Sequence, residues 1–135
     1  MFEHQIKFRV LYSDTDKMGY MYYGRYAKYL EMGRVEALRS LGLSYKSMED
    51  TGVMLPVLDL KLKYLKPLYY DDEVTLTTKV CDMPGTRIYF EYELKNSDGE
   101  LTTLAETTLV FVDRNGKPFM IPENFKSKIK TYFTK

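Results

Sequence analysis

A chain of 135 residues has the length of one ordinary domain, and 44% hydrophobic with 29% charged residues is the balance of a globular protein with a real core. A net charge of +1 supplies no bulk field for nucleic acid or an anionic membrane. One cysteine, Cys81, excludes an internal disulfide; no apolar run of about twenty residues is long enough to span a bilayer, and Met1-Phe2-Glu3-His4-Gln5 lacks a secretory leader pattern, so a cytoplasmic protein is expected.

The first element alternates strictly. Ile6, Phe8, Val10 and Tyr12 fall on one face, Gln5, Lys7 and Arg9 on the other, as in a half-buried strand. The loop Asp-Lys-Met-Gly, residues 16–19, breaks it. Across residues 23–41 the period becomes helical. Tyr26, Leu30, Gly33, Ala37 and Leu41 form a stripe, joined by Ala27, Val35 and Leu38, while Lys28, Glu31, Arg34, Glu36 and Arg39 fill much of the rest. About nineteen residues make a helix near 28 Å long, which Gly42 stops. Leu30, Gly33 and Ala37 should face a sheet.

Ser44 caps a short helix over residues 44–52. Strands follow in series, with alternation at Leu58, Leu60 and Leu62, at Val74, Leu76 and Val80, and at Ile88, Phe90, Tyr92 and Leu94. Asn96-Ser97-Asp98-Gly99 is a turn. The longest strand pattern follows it and ends at Arg114-Asn115-Gly116. Pro122 suits the first position of a terminal helix that turns Phe125, Ile129 and Tyr132 or Phe133 inward. Strands joined by short turns pair antiparallel. The expected class is α+β, one antiparallel sheet against one long helix, as a single domain over residues 1–135.

The chemical inventory is short. His4 stands near a terminus, where exposure is expected, so a serine–histidine triad and most zinc hydrolase sites are excluded. Neither GxGxxG nor GxxxxGK[ST] occurs. Cys81 sits in an alternating strand pattern, where a small packed residue is expected. No metal and no cofactor is expected. There are 13 tyrosines and no tryptophan. Tyrosine suits half-exposed sheet faces, pockets and subunit contacts alike.

Asp14 and Asp16 remain. A carboxylate is a nucleophile or a general base. Asp16 precedes the helix start by about one turn, and that start offers unpaired N–H groups and a positive dipole end. Those groups polarise a carbonyl oxygen while the carboxylate attacks its carbon or activates water. On the residues alone, a helix cap or Asx turn stands ahead of catalysis for Asp16, because aspartate is common in both.

The stretch YSDTDKMGYMYYGRYAKYLEMGRVEALRSLG resembles the N-terminal motif of the 4-hydroxybenzoyl-CoA thioesterase family of hotdog-fold proteins, D-x-D-x-x-G-x-V-x-x-x-x-Y. Asp14, Asp16, Gly19 and Tyr26 match it, with Glu31 and Arg34 beyond. YLKPLYYDDEVTL (Tyr64, Pro67, Asp72) and FVDRNGKPFMIPENF extend the similarity over nearly the whole chain. The resemblance implies a hotdog fold, an antiparallel sheet wrapped around one long helix, and hydrolysis of an acyl-CoA or acyl-carrier-protein thioester. It places Asp16 at the catalytic carboxylate, as nucleophile or base, and the backbone N–H of Tyr23 at the group that polarises the thioester carbonyl. Gly19, Tyr20, Tyr22 and Tyr26 would then lie along the substrate, and Asp14 would tie the loop to its own backbone. Many relatives carry Val or Ile after the motif glycine and His near position 23, where this chain has Tyr20, Met21 and Tyr23. The absent histidine also argues against the dehydratase branch of the fold. A non-catalytic acyl-CoA or carrier-protein binder is the alternative. Relatives of this kind assemble side by side, so a homodimer or homotetramer is expected, with the pocket at the subunit boundary and no nucleic-acid or membrane partner. Lys61, Lys63, Lys66 and Arg87 are read as solvated cations rather than phosphate ligands.

Overall fold

The alternating strands build one five-stranded antiparallel sheet. The structure, a computed structural model, describes residues 1–133. In chain order it contains β1 (Phe2–Arg9), α1 (Tyr26–Ser40), α2 (Tyr45–Asp50), β2 (Val57–Tyr64), β3 (Glu73–Val80), β4 (Arg87–Lys95), β5 (Leu101–Val110) and α3 (Glu123–Ile129). The sheet order is β1-β3-β4-β5-β2, and every neighbouring pair is antiparallel. The expected α+β architecture is present, with α1 lying on the inner face across β1 and β3. Among the described residues no helix is long and apolar enough to cross a membrane.

The inner stripe of α1 is the expected one. Leu30 and Ala37 are fully buried, and Gly33 lies so close to β3 that a Cβ there would stand 2.7 Å from Thr78 Oγ1. Tyr29 stacks on Phe8 of β1 at 4.1 Å between ring centroids. From the sheet side Ile88, Phe90, Tyr92 and Leu94 complete the core. Burying each such side chain contributes about 1.5–3 kcal/mol.

Several expectations are corrected. β1 ends at Arg9, where its ladder with β3 ends opposite Glu73. Tyr12 begins a 3-10 turn (Tyr12–Asp14) and is exposed instead of inward. His4 is not at the surface: it faces inward opposite Thr78, is half-buried, and its Nδ1 is buried with no hydrogen-bond partner among the described residues. Cys81 follows the last residue of β3 and is exposed, not packed. The helical stretch opens with a 3-10 turn (Tyr23–Arg25) before α1 proper, and Ala27 is exposed. Pro122 caps α3 one residue before its first turn. Phe125 and Ile129 are buried as expected, and Phe133, rather than the more exposed Tyr132, packs against the core.

Two further departures concern burial. Arg34, expected among the solvated charges of the helix, is 6% exposed, and its guanidinium donates to the hydroxyls of Tyr45 (3.3 Å) and Tyr92 (3.1 Å). β2 is an edge strand that α1 does not cover. Leu60 and Leu62 lie opposite the buried Thr107 and Ala105, hence on the inner face, yet Val57, Leu58, Leu60 and Tyr64 are all exposed.

Candidate active site

The loop before α1 is fixed by its two aspartates, and they do different things. Asp14 is buried. Both its carboxylate oxygens accept from Lys28 Nζ, at 2.9 and 2.7 Å, and one accepts from the Tyr29 hydroxyl. Its carbonyl oxygen accepts the N–H of Tyr22 at 2.7 Å. The main chain of Asp14 thus ties the loop to its own backbone, while its side chain, expected to do so, holds the first turns of α1 instead. Burial pushes the Asp14 carboxyl upward, but the hydrogen bonds from Lys28 and Tyr29 and the charges of Lys28 and Arg25 outweigh it and leave it below its ordinary value. Burial, then the Asp14 hydrogen bond and charge, push the Tyr29 phenol up to about 12.

Asp16 is exposed and forms a tight turn. Its N–H donates to Tyr20 O at 2.8 Å, and its carbonyl accepts from Gly19 N at 3.0 Å. Gly19 has φ +80°, a left-handed conformation that glycine adopts without strain. Asp16 Oδ1 accepts from the N–H groups of Met18 (2.9 Å) and Tyr20 (3.2 Å), which is an Asx turn. Oδ2 makes no hydrogen bond among the described residues. Asp16 does not cap the helix: the residue before the first helical turn is Tyr22, and it provides no side-chain cap.

That helix start is open. The N–H groups of Tyr23 and Gly24 have no backbone acceptor among the described residues, whereas that of Arg25 already bonds to Tyr22 O at 3.0 Å. Unpaired N–H groups at a helix start carry partial positive charge and bind oxygen with negative character.

A cleft of about 300 Å³ joins these parts, lined by Asp16, Tyr20, Met21, Tyr23, Tyr26, Tyr64, Leu65, Lys66 and Pro67. Tyr20 stands edge-on to Tyr69, and Tyr26 edge-on to Tyr64. Burial first, opposed by a hydrogen bond with Thr103, sets the Tyr26 phenol above its ordinary value, so it stays protonated at neutral pH. Lys66 is paired with Glu100. Of the residues singled out from the sequence, Asp16, Tyr20, Tyr23 and Tyr26 meet in the cleft. Gly19 shapes the turn without lining it. The Tyr22 ring leans on Tyr23 at 4.6 Å and also stands outside the lining. The sequence reading did not assign Tyr64 to the site. Its alternation with Leu60 and Leu62 places it on the inner face, but nothing in the local spacing joins it to the loop before α1.

A second depression, about 310 Å³, lies on the outer face of the sheet among Lys61, Lys63, Lys79, Glu91, Glu93 and Glu106. Lys79 pairs with Glu93 there at 3.1 Å. Charges of both signs make it a poor seat for an apolar acyl group. The aromatic cleft is the better candidate.

Comparison with known proteins agrees with this geometry. The family model described as the thioesterase-like superfamily matches residues 10–129. The chain is 34% identical over 117 residues to the Bacillus subtilis (strain 168) protein YneP, covering 86% of this chain and 85% of that one. It is 30% identical over 123 residues to the acyl-CoA thioester hydrolase YbgC of Escherichia coli O6:H1, covering 90% and 92%. Among solved structures, a DHNA-CoA thioesterase from Staphylococcus aureus superposes with TM-score 0.90 at 33% identity, covering 98% of this chain and 90% of that one. With a sheet wrapped around one helix and a match along most of its length, the chain belongs to the thioesterase-like superfamily and is a hotdog-fold thioesterase.

Proposed function

We propose that this protein hydrolyses an acyl-CoA thioester to the free acid and CoA, with residues 1–135 acting as one catalytic domain in the cytoplasm. One observation carries the reading: the Asp16 carboxylate, with one oxygen held by two backbone N–H groups and the other unpaired, shares a cleft with the unpaired N–H of Tyr23. The acyl carbonyl oxygen accepts from the Tyr23 N–H, which draws electron density from the carbonyl carbon. Asp16 Oδ2 then attacks that carbon to give a mixed anhydride that water opens, or it takes a proton from water as the water attacks. In either case the carbon–sulfur bond breaks and the sulfur leaves as CoA thiolate, which takes up a proton. Tyr20 and Tyr26 border the acyl group, Tyr22 backs the Tyr23 ring from outside the cleft, and Gly19 allows the turn that presents Asp16.

Names of relatives support the substrate class: one relative is named for acyl-CoA and one for DHNA-CoA. A carrier-protein thioester presents the same pantetheine arm and is a second substrate to assay. We also take the working unit to be at least a homodimer. β2 leaves its edge unpaired and its apolar side chains exposed, a surface that folded proteins normally cover. The cleft borders that edge at Tyr64 and Leu65, so a second copy pairing there would place the pocket at the subunit boundary.

The test is turnover on a panel of acyl-CoA and acyl-carrier-protein thioesters, DHNA-CoA among them, for the parent and Asp16→Asn. Asparagine keeps the shape and an oxygen for the Asx turn but loses the charge. The expected outcome is a fall in kcat of at least about a hundredfold with little change in KM. Near-full turnover by Asp16→Asn would refute the mechanism, and no turnover of any thioester by the parent would favour a binding protein.

A further inference from the structure

Tyr64 closes β2 on the strand's inner face, and two contacts fix its side chain. The ring stands edge-on to Tyr26, centroids 4.9 Å apart at 76°. The hydroxyl donates to the carbonyl oxygen of Tyr23, 41 residues earlier, at 3.2 Å. Burial, then the neighbouring Tyr23 hydroxyl, push the Tyr64 phenol above its ordinary value, so it is a proton donor at neutral pH.

The bond reaches past Tyr23 itself. The Tyr23 carbonyl belongs to the peptide that joins Tyr23 to Gly24, and the N–H of that peptide is Gly24's. This N–H is one of the two at the helix start without a backbone acceptor. A peptide whose carbonyl accepts a hydrogen bond is polarised, and its N–H becomes a stronger donor. The Tyr22 ring stands against Gly24: a Cβ there would lie 2.6 Å from Cε2 of that ring. One ring therefore stands beside Gly24 while the Tyr64 hydroxyl holds the peptide oxygen.

We infer that Tyr64 is a positioning residue for thioester cleavage: by holding and polarising the Tyr23–Gly24 peptide, it makes the Gly24 N–H a second donor to the thioester oxygen, beside the N–H of Tyr23. The inference rests on the thioesterase mechanism proposed above. Its physical basis is that the oxygen gains negative charge as the carbonyl carbon is attacked, and a donor already in place needs no reorganisation at that moment. Tyr64 does not touch the reacting atoms. It acts through the backbone of the helix start, from the strand that forms the sheet edge.

The perturbation is Tyr64→Phe, which keeps the ring against Tyr26 and removes only the hydroxyl. The first readout is steady-state kinetics with the best acyl-CoA. Weakening one oxyanion donor, rather than deleting it, should lower kcat about tenfold, with KM and the unfolding midpoint unchanged. The second readout is the carbonyl stretch of a bound analogue that cannot be cleaved, a ketone in which CH2 replaces the CoA sulfur, labelled with carbon-13 at the carbonyl. Difference infrared spectra should show a downshift on binding to the parent and a smaller downshift on binding to Tyr64→Phe. Equal downshifts would overturn the inference whatever happens to turnover, because Tyr64 would then only pack against Tyr26. Full kcat in Tyr64→Phe would overturn it as well. The analogue reports on the oxyanion donors in protein that retains Asp16. Failure of the Asp16 mechanism, seen as turnover by Asp16→Asn, is therefore separable from failure of the role given to Tyr64.

Discussion

Gly33 is where the packing of α1 on the sheet can be tested with least ambiguity. A Cβ at this position would stand 2.7 Å from Thr78 Oγ1, 2.8 Å from Leu76 Cδ2 and 3.4 Å from Leu76 Cγ, where ordinary contact is 3.4–4 Å. Leu76 and Thr78 are 0% and 1% exposed, so neither side chain has free space to retreat into. Thr78 is also β-branched and stiff at χ1. Two effects oppose each other in Gly33→Ala. Helix propensity gains about 1 kcal/mol. Overpacking costs about 1–3 kcal/mol. The second should win narrowly, giving a net loss of up to about 2 kcal/mol. Gly33→Leu has a similar propensity gain but must place three more carbons in the same gap, and should lose more than about 3 kcal/mol. Urea unfolding at fixed protein concentration measures both, with far-UV circular dichroism as the probe because the chain has no tryptophan. A Gly33→Ala variant that gains the full propensity term, with Gly33→Leu unchanged, would show that the helix does not approach the sheet this closely.

Asp14→Asn should lower stability by about 1–3 kcal/mol in the same unfolding assay, because Lys28 and Tyr29 lose a charged acceptor. The Asp14 carboxyl sits below its ordinary value of 3.8 in the folded chain, so its contribution is complete above that value and fades as pH falls through the lowered one; parent and variant should converge in acid. Leu60→Glu tests assembly: the side chain is exposed on the edge strand, so the fold should survive, while sedimentation should show dissociation at concentrations where the parent is a dimer. A parent that sediments as a stable monomer at micromolar concentration would refute the dimer itself.

Legibility followed burial. Strands covered on the inner face, β3 and β4, were read nearly to the residue, because Val74, Leu76, Ile88, Phe90 and Leu94 alternate and are all buried. β2 shows the same alternation, yet its leucines are exposed; periodicity records which face a residue takes and says nothing about what covers that face. The sequence around Arg34 suggests a surface charge, because its buried partners, the hydroxyls of Tyr45 and Tyr92, come from elements 11 and 58 residues away. A histidine near a terminus is expected at the surface, but the ladder to β3 carries His4 inward. At the site, the aspartate motif and the helix start are local in sequence and were legible together. Tyr64 reaches the helix start only through the fold, and a scan of local spacing had no means of pairing it with Tyr23.

Under the proposed mechanism, the two aspartates of one short loop separate folding from chemistry. Asp14 and Asp16 are two residues apart and the same in kind; their surroundings divide the work. Every oxygen of the Asp14 carboxylate is engaged by Lys28 and Tyr29, so it has little capacity left to attack a carbon or accept a proton. What it does is hold α1 against the loop, while its carbonyl takes up the N–H of Tyr22. That bond has a consequence one residue later. With Tyr22 satisfied from behind, the next two N–H groups, those of Tyr23 and Gly24, are the ones left open at the helix start. Asp16 shares the cleft with Tyr23, with one carboxylate oxygen anchored by Met18 and Tyr20 and the other unpaired among the described residues. The anchored oxygen limits where the carboxylate can swing, and the unpaired one retains its lone pairs. In the mechanism proposed above, whether as nucleophile or base, a group in that condition begins the reaction already aimed, and the entropy of aiming it was lost when the loop folded.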